Sequence, residues 1–275
     1  MSTITALGVR LDLEGPRPVA PDHSLLKTPG VVVAEDSGRW LNGVVLDTYP
    51  TDPPEVWDPC SSGTTRVKED GANRPLPTFD AFVVYVPTTC SMFSSNGLRE
   101  MTRVALEANA SWGVEKGLAY GVTGLSNPAL GDASLVQLGA NGISAAEALA
   151  RLENAIGATG IKGMIHATPA VVSMWQADKL EGDEEGNLFT SNGTPVVSGG
   201  GYIGVHPHGK TAPSDGQDWA FATGPVEVRL GPPSLSDLRT SLDRSDNTVT
   251  FRAERPVLAT WDTALQVGVL IDWAP

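Results

Sequence analysis

The sequence predicts an α+β chain, and three observations predict it. A single long helical pattern stands in the middle of 275 residues. A stretch rich in proline and glycine, with no helical pattern, precedes it. A compact alternation of helices and strands follows and gives way to strands near the end.

Residues 1–30 hold Pro16, Pro18, Pro21 and Pro29. Proline lacks an N–H and restricts the residue before it, so this segment reads as an arm. Residues 31–78 carry two short apolar stretches, VVVA and WLNGVVL. A run punctuated by Pro53, Pro54 and Pro59 follows, with a turn at Glu69-Asp70-Gly71-Ala72. An extended β excursion fits this region better than a structureless loop of such length. FDAFVVYVP, residues 79–87, has the pattern of a strand.

Residues 96–120 carry Leu98, Met101, Ala105, Ala108 and Trp112 at heptad-like spacing. They predict a helix of roughly 25 residues, ~37 Å long, with that stripe against a sheet. Ser94, Ser95 and Asn96 are its candidate N-caps. Gly113 and Gly117 lie inside it, where each costs up to ~1 kcal/mol against alanine. Close packing by a neighbouring backbone explains them better than a hinge.

After a loop over 121–142, with a short apolar run at 133–138, Ser144 and Glu147 form a capping box. The helix behind it shows Ala145, Leu149, Leu152 and Ile156 on one face and ends at Gly157 to Gly160. Residues 162–167 predict a strand. Thr168-Pro169 then opens a helix running through Leu180. Residues 182–187 read as a solvated acidic turn, and 187–190 and 195–202 as strands. Near the end, 225–230 and 248–254 alternate apolar and polar residues as half-buried strands do. LQVGVLIDW, residues 265–273, is continuously apolar and reads as a buried central strand.

Hydrophobic residues make up 41% of the chain, ample for one large domain or two modest ones. Charged residues make up 19%, with 30 glycines and 21 prolines, so turns and extended segments prevail over helix bundle. The net charge of −13 and the scattered Lys and Arg exclude a general nucleic-acid footprint. Cys60 and Cys90 read as two thiols in a reducing compartment. No apolar run approaches the ~18 residues of a membrane span. The first residues, MSTITALGVRLDLEG, lack a secretory pattern, so a soluble protein made in a cytoplasm is expected and the sequons at Asn109 and Asn192 carry no glycan.

Catalytic signatures fail in turn. There is no phosphate-binding loop and no nucleophile elbow. Gly199 to Gly201 follow a strand but open no helix, so they read as a flexible turn. His206 and His208 lack the further ligands that a metal site needs. His166 reads as a satisfied core residue, and nothing in the spacing joins it to Cys90 as a nucleophile pair. No enzyme, cofactor or metal is expected.

The order of these parts resembles the major capsid protein of tailed bacteriophages, the Hong Kong 97-type fold also found in encapsulin shells. The likeness rests on layout across nearly the whole chain, not on a short motif. An arm like 1–30, an extended two-stranded loop like 40–78 within 31–78, and a long spine helix like 96–120 occur in that order. Ala167-Thr168-Pro169 is similar to the family's capped strand-to-helix turn. Gly193 to Val197 is similar to its G-x-P-V-V strand, and TVTFRAERPVLATWDTALQVGVLID to its returning strands.

The resemblance implies a Hong Kong 97-like α+β fold. Its peripheral domain would span 79–125 and 231–275 with the spine helix 96–120, and its axial α/β domain 126–230. It implies self-assembly, as pentamers and hexamers, into an icosahedral shell enclosing double-stranded DNA without sequence-specific binding. The protein would be assembled in the host cytoplasm and reside in the virion, with scaffolding, portal and decoration proteins as further partners and no membrane. Two family features do not transfer: a charged helical N-terminal scaffolding extension, and a Lys–Asn cross-link, for which Lys68 finds no matching asparagine. Rival readings are an encapsulin-like cargo shell, a minor head or tail protein and, least of all, a hydrolase. Within such a shell, Trp40, Val44, Leu46, Tyr49, Val56 and Trp57 are expensive to leave in water and are expected to lie on an adjacent subunit.

Overall fold

The computed structural model describes residues 16–35, 38–46, 76–91, 97–139, 142–176, 179–236, 242–243 and 245–272. Tyr49, Val56, Trp57, Cys60, the turn at 69–72 and the candidate caps Ser94 to Asn96 lie outside them.

Before the long helix come β1 (Val32–Glu35), β2 (Val44–Val45), β3 (Thr78–Phe79) and β4 (Phe82–Ser91). The long helix is α1 (Leu98–Tyr120). Next are β5 (Val136–Gln137), α2 (Ala145–Thr159), β6 (Met164–Ala167) and α3 (Pro169–Gln176). Then come β7 (Leu180–Gly182), β8 (Leu188–Thr190) and β9 (Val196–Ser198). The chain continues through β10 (Gln217–Thr223), β11 (Val226–Leu230), β12 (Ser234–Leu235) and β13 (Leu242–Asp243). It returns through β14 (Thr248–Trp261) and β15 (Gln266–Asp272).

Two sheets organise these elements. In the first, the long strand β14 pairs antiparallel with β4 along one side and with β11, β12 and β13 along the other, and β1 adds parallel to β11. Pro256 is tolerated inside β14 because it falls between the stretches paired with β11 and β12. Its carbonyl there accepts from Gly231 N at 2.9 Å. The second sheet has the order β5-β15-β10-β6-β9. Both of its faces are covered. Trp219 and Phe221 of β10 enter the main core, while Ala220 and Ala222 enter a second core under α2 and α3. Double coverage is why β15 reads as a continuous apolar run.

A division of the chain at 230 would separate β11 from the strand β14 with which it pairs. It would also place β15 apart from β10, its neighbour over seven residues. The two sheets are woven together by the C-terminal strands rather than split in sequence.

The long helix forms where the sequence places it, but its register differs. Leu98, Thr102, Leu106, Ala110, Val114 and Leu118 are buried, whereas Met101 and Trp112 are about half exposed. Trp112 therefore does not face the sheet as expected. Thr102 is admitted to the buried side because its hydroxyl donates to Leu98 O at 2.7 Å. Gly113 and Gly117 do mark close packing, though against side chains rather than backbone. A Cβ at Gly113 would run into Val84 Cγ1, and one at Gly117 would stand 2.8 Å from Phe82 Cζ.

Ser144 caps α2 by accepting from Glu147 N at 3.3 Å. Glu147 does not return the bond, and its carboxylate pairs with Arg151 instead. Helix α3 ends before Leu180, which lies in β7. The strand β10 was not anticipated.

The corrected register is testable. Leu106→Ala should cost ~2–5 kcal/mol in denaturant unfolding, as large-to-small core changes do. Trp112→Ala should cost about 1 kcal/mol or less. The reverse ranking would restore the sequence-derived stripe.

Candidate functional site

Of the six residues expected at a subunit contact, three are described. Trp40 stands in the turn Arg39–Asn42 and is 5% exposed, packed in the chain's own main core. Its apolar surface is thus already removed from water, and the expectation that it lies on a neighbour is corrected. Val44 and Leu46 are half-buried against the same core. Tyr49, Val56 and Trp57 fall outside the described residues.

The larger candidate surface lies elsewhere. A groove of about 1170 Å³ runs between β4 and the C-terminal half of α1, lined by residues 82–86, Trp112, Lys116, Tyr120 and the loop after the helix. Gly113 and Gly117 lie along it, where α1 closes on Val84 and Phe82. Its walls are amphipathic. The Lys116 ammonium lies 5.1 Å over the Trp112 ring, while on the other face of the sheet Arg252 stands 5.4 Å over Tyr85. Val83, Tyr85, Trp112 and Tyr120 remain about half exposed. Such a surface suits contact with another chain rather than chemistry. Among the described residues, no group of three His, Cys, Asp or Glu is placed to hold a metal. Among them too, no helix is long and apolar enough to cross a membrane.

Behind α1 is a buried polar centre that the sequence reading missed. Glu115 is 1% exposed. Its Oε1 accepts from Leu25 N at 3.0 Å and from the Ser111 hydroxyl at 3.1 Å, and its Oε2 accepts from Gly201 N at 3.0 Å. Ser111 Oγ in turn accepts from Leu26 N at 3.1 Å. One carboxylate thus joins the arm, the long helix and the glycine turn. Burial pushes its pKa above the usual carboxylate range, against the pull of these three donors. Gly201 is packed too closely on Glu115 and Trp112 O to carry a side chain. The GGG stretch is therefore a seated 3-10 turn, not a flexible one. The legible signal was a glutamate and a serine four residues apart on the side of α1 that also carries Val114 and Leu118.

His166 is the satisfied core residue that the sequence suggests. It is fully buried, with Nδ1 3.0 Å from Tyr202 Oη and Nε2 2.9 Å from Thr223 Oγ1. The Thr223 hydroxyl donates its hydrogen to Gly224 O at 2.8 Å, so Thr223 accepts from Nε2–H and Tyr202 donates to Nδ1. The imidazole is held neutral, and burial lowers its pKa to about 3. Neither ring nitrogen is left to act as a base.

No protein-family model matches the chain, and no curated protein does. Solved structures do match. A chain from Mycobacterium phage Che8 superposes with a TM-score of 0.54 at 10% identity, covering 98% of each chain. One from Mycobacterium phage Adephagia gives 0.53 at 13% identity, over 95% of this chain and 93% of that one. This chain has a phage-capsid fold. A third match, described as the capsid of a native GTA particle, gives 0.50 at 12% identity over 100% of this chain and 96% of the other. The mixed α/β architecture expected from the sequence is the one observed.

The His166 environment fixes a pH dependence. The unfolded imidazole takes up a proton near its ordinary pKa of ~6.5, while the folded one stays neutral down to about 3. The stability it contributes is therefore present above pH ~6.5 and is lost as pH falls from there toward 3, at up to ~1.4 kcal/mol per pH unit. Urea unfolding between pH 7.5 and 4.5 should show this decline, and His166→Gln, which still bridges two hydroxyls, should flatten it.

Proposed function

We propose that this chain is the major capsid (head) protein of a tailed bacteriophage. It assembles from pentamers and hexamers into an icosahedral shell around double-stranded DNA. The observation that carries the reading is end-to-end likeness to phage chains: 98% coverage on both sides leaves little of either chain without a counterpart. The match to a GTA capsid along the whole chain supports it. No constellation in the described residues argues for an enzyme. The net charge of −13 suits a container that does not grip its DNA. Its place is the virion, after assembly in the host cytoplasm, with scaffolding, portal and decoration proteins as candidate companions. Within the subunit, 16–30 belongs to an arm, α1 serves as the spine, and Val44 and Leu46 lead into the segment that reaches a neighbour. Many modest interfaces repeated around a closed shell give it strength.

Electron microscopy of the expressed protein should show closed shells. Monomers under every condition, including with a co-expressed scaffold, would overturn the reading. A bound cargo peptide inside protein-only shells would favour the encapsulin-like alternative. Deleting residues 50–75 should leave a soluble, folded subunit that builds no shells, since Tyr49, Val56 and Trp57 belong to a stretch too rich in proline to make a core of its own. Normal shells after that deletion would remove the segment's role.

A further inference from the structure

The outer edge of β4 is open over a short, defined window. In an antiparallel ladder, opposed residues alternate between pairs that exchange hydrogen bonds and pairs that do not. Pro256 gives its carbonyl to Gly231, on the side away from β4. Its partner on β4 is Val83, which therefore turns its own N–H and C=O outward, as do Tyr85 and Pro87. Among the described residues, no strand pairs with that edge. The window is closed at both ends. Pro87 has no N–H to offer. At the other end Asn127 imitates a strand, with its Oδ1 accepting from Asp80 N at 2.6 Å and its Nδ2 donating to Asp80 O at 2.8 Å. What remains is the stretch 82–86, the same five residues that line the groove beside α1.

A bare edge flanked by half-exposed Val83, Tyr85 and Trp112 is a liability unless something covers it. The chain itself contains a segment of the right kind. Residues 9–14, VRLDLE, alternate strictly: Val9, Leu11 and Leu13 against Arg10, Asp12 and Glu14. That is the pattern of a strand with one buried face. Placed on the window, its apolar side chains enter the groove toward Trp112 and Tyr120. Its acidic ones then share the sheet face on which Arg252 stands over Tyr85.

The source is set by where the arm leaves the described structure. Arg17 pairs with Glu100 at 3.5 Å, near the start of α1. Glu100 lies on the side of the helix that carries Ser111 and Leu118, whereas the groove is lined by Asn109, Lys116 and Tyr120 from another side. The window lies opposite Gly113, ~20 Å further along the axis at 1.5 Å per residue. Residues 9–14 of the same chain would have to reverse at once and wrap around the helix to reach it. A second copy has no such constraint. We propose that residues 9–14 of one copy add as a strand to the 82–86 edge of β4 in another copy. This deepens the assembly reading and rests on it.

Two measurements test it. Two tagged chains, one with Asp12→Cys and the other with Tyr85→Cys, are co-assembled and mildly oxidised. Peptide mapping should find a disulfide that joins the two introduced thiols and links one tag to the other. Shells that form without it overturn the strand addition while leaving the capsid reading intact. A chain carrying both substitutions that closes the bond within itself overturns the second-copy source. The other measurement needs no shell. A fluorescent peptide of residues 7–15 should bind saturably to the full chain bearing Leu11→Asp, whose own segment is spoiled as a competitor. The peptide with Leu11→Asp should bind at least tenfold more weakly. Equal binding of both peptides, or none, overturns the proposal whether or not shells form.

Discussion

The structure depends on how closely α1 can approach β4. Helix and strand meet where Gly113 and Gly117 face Val84 and Phe82, and neither position has room for a methyl group. Glycine weakens an isolated helix, yet here the loss in propensity is offset by burial of the helix stripe against the sheet. Leu106, Val114 and Leu118 reach the main core only at that separation. The same seating turns Ser111 and Glu115 to the far side of the helix, toward the arm and the glycine turn. Two glycines therefore set both the core below the helix and the polar centre behind it.

That polar centre attaches the arm to the body of the fold. Segment 23–26 is held from α1 through Leu25 N and Leu26 N, and from β9 through His23 O, which accepts from Ser198 N at 2.8 Å. Leu25 is fully buried beside these bonds. Flanked by Pro21 and Pro29, the segment is ordered by hydrogen-bond partners supplied from elsewhere in the fold, as a stretch with no ladder of its own must be.

Much of the fold was legible because its patterns are local. The helix at 98–120, the Ser144 cap, the turn at Thr168-Pro169 and the alternation of β11 follow from neighbours in sequence. The failures have a common cause. Strand β10 was missed because both of its faces are buried and Ala220 and Ala222 stand between its aromatics, so no alternation of apolar and polar residues appears. The stripe on α1 was misread because hydrophobicity alone favoured Met101 and Trp112 over Thr102, Ser111 and Glu115. Thr102 is satisfied by Leu98 O within the helix itself, whereas Ser111 and Glu115 are buried with partners that only the tertiary fold supplies. Trp40 was assigned outward for the same reason, since its pocket draws on β14, which comes more than two hundred residues later. No local pattern announces a groove whose walls lie on separate elements. The capsid likeness, by contrast, was carried by the order of parts, which survives at 10% identity where motifs do not.

The passage from β14 to β15 has a mechanical meaning. These consecutive strands belong to different sheets and are joined by only four residues, from Asp262 to Leu265. Tension between the two sheets would run directly along the chain into β14. There it meets a ladder with β4 that is ten residue pairs long, whose hydrogen bonds lie perpendicular to the pull. Rungs loaded in this sense share the force in shear and must fail together, whereas a ladder peeled from one end gives way bond by bond. The fold thus joins its two sheets by a short, stiff tie rather than by a hinge.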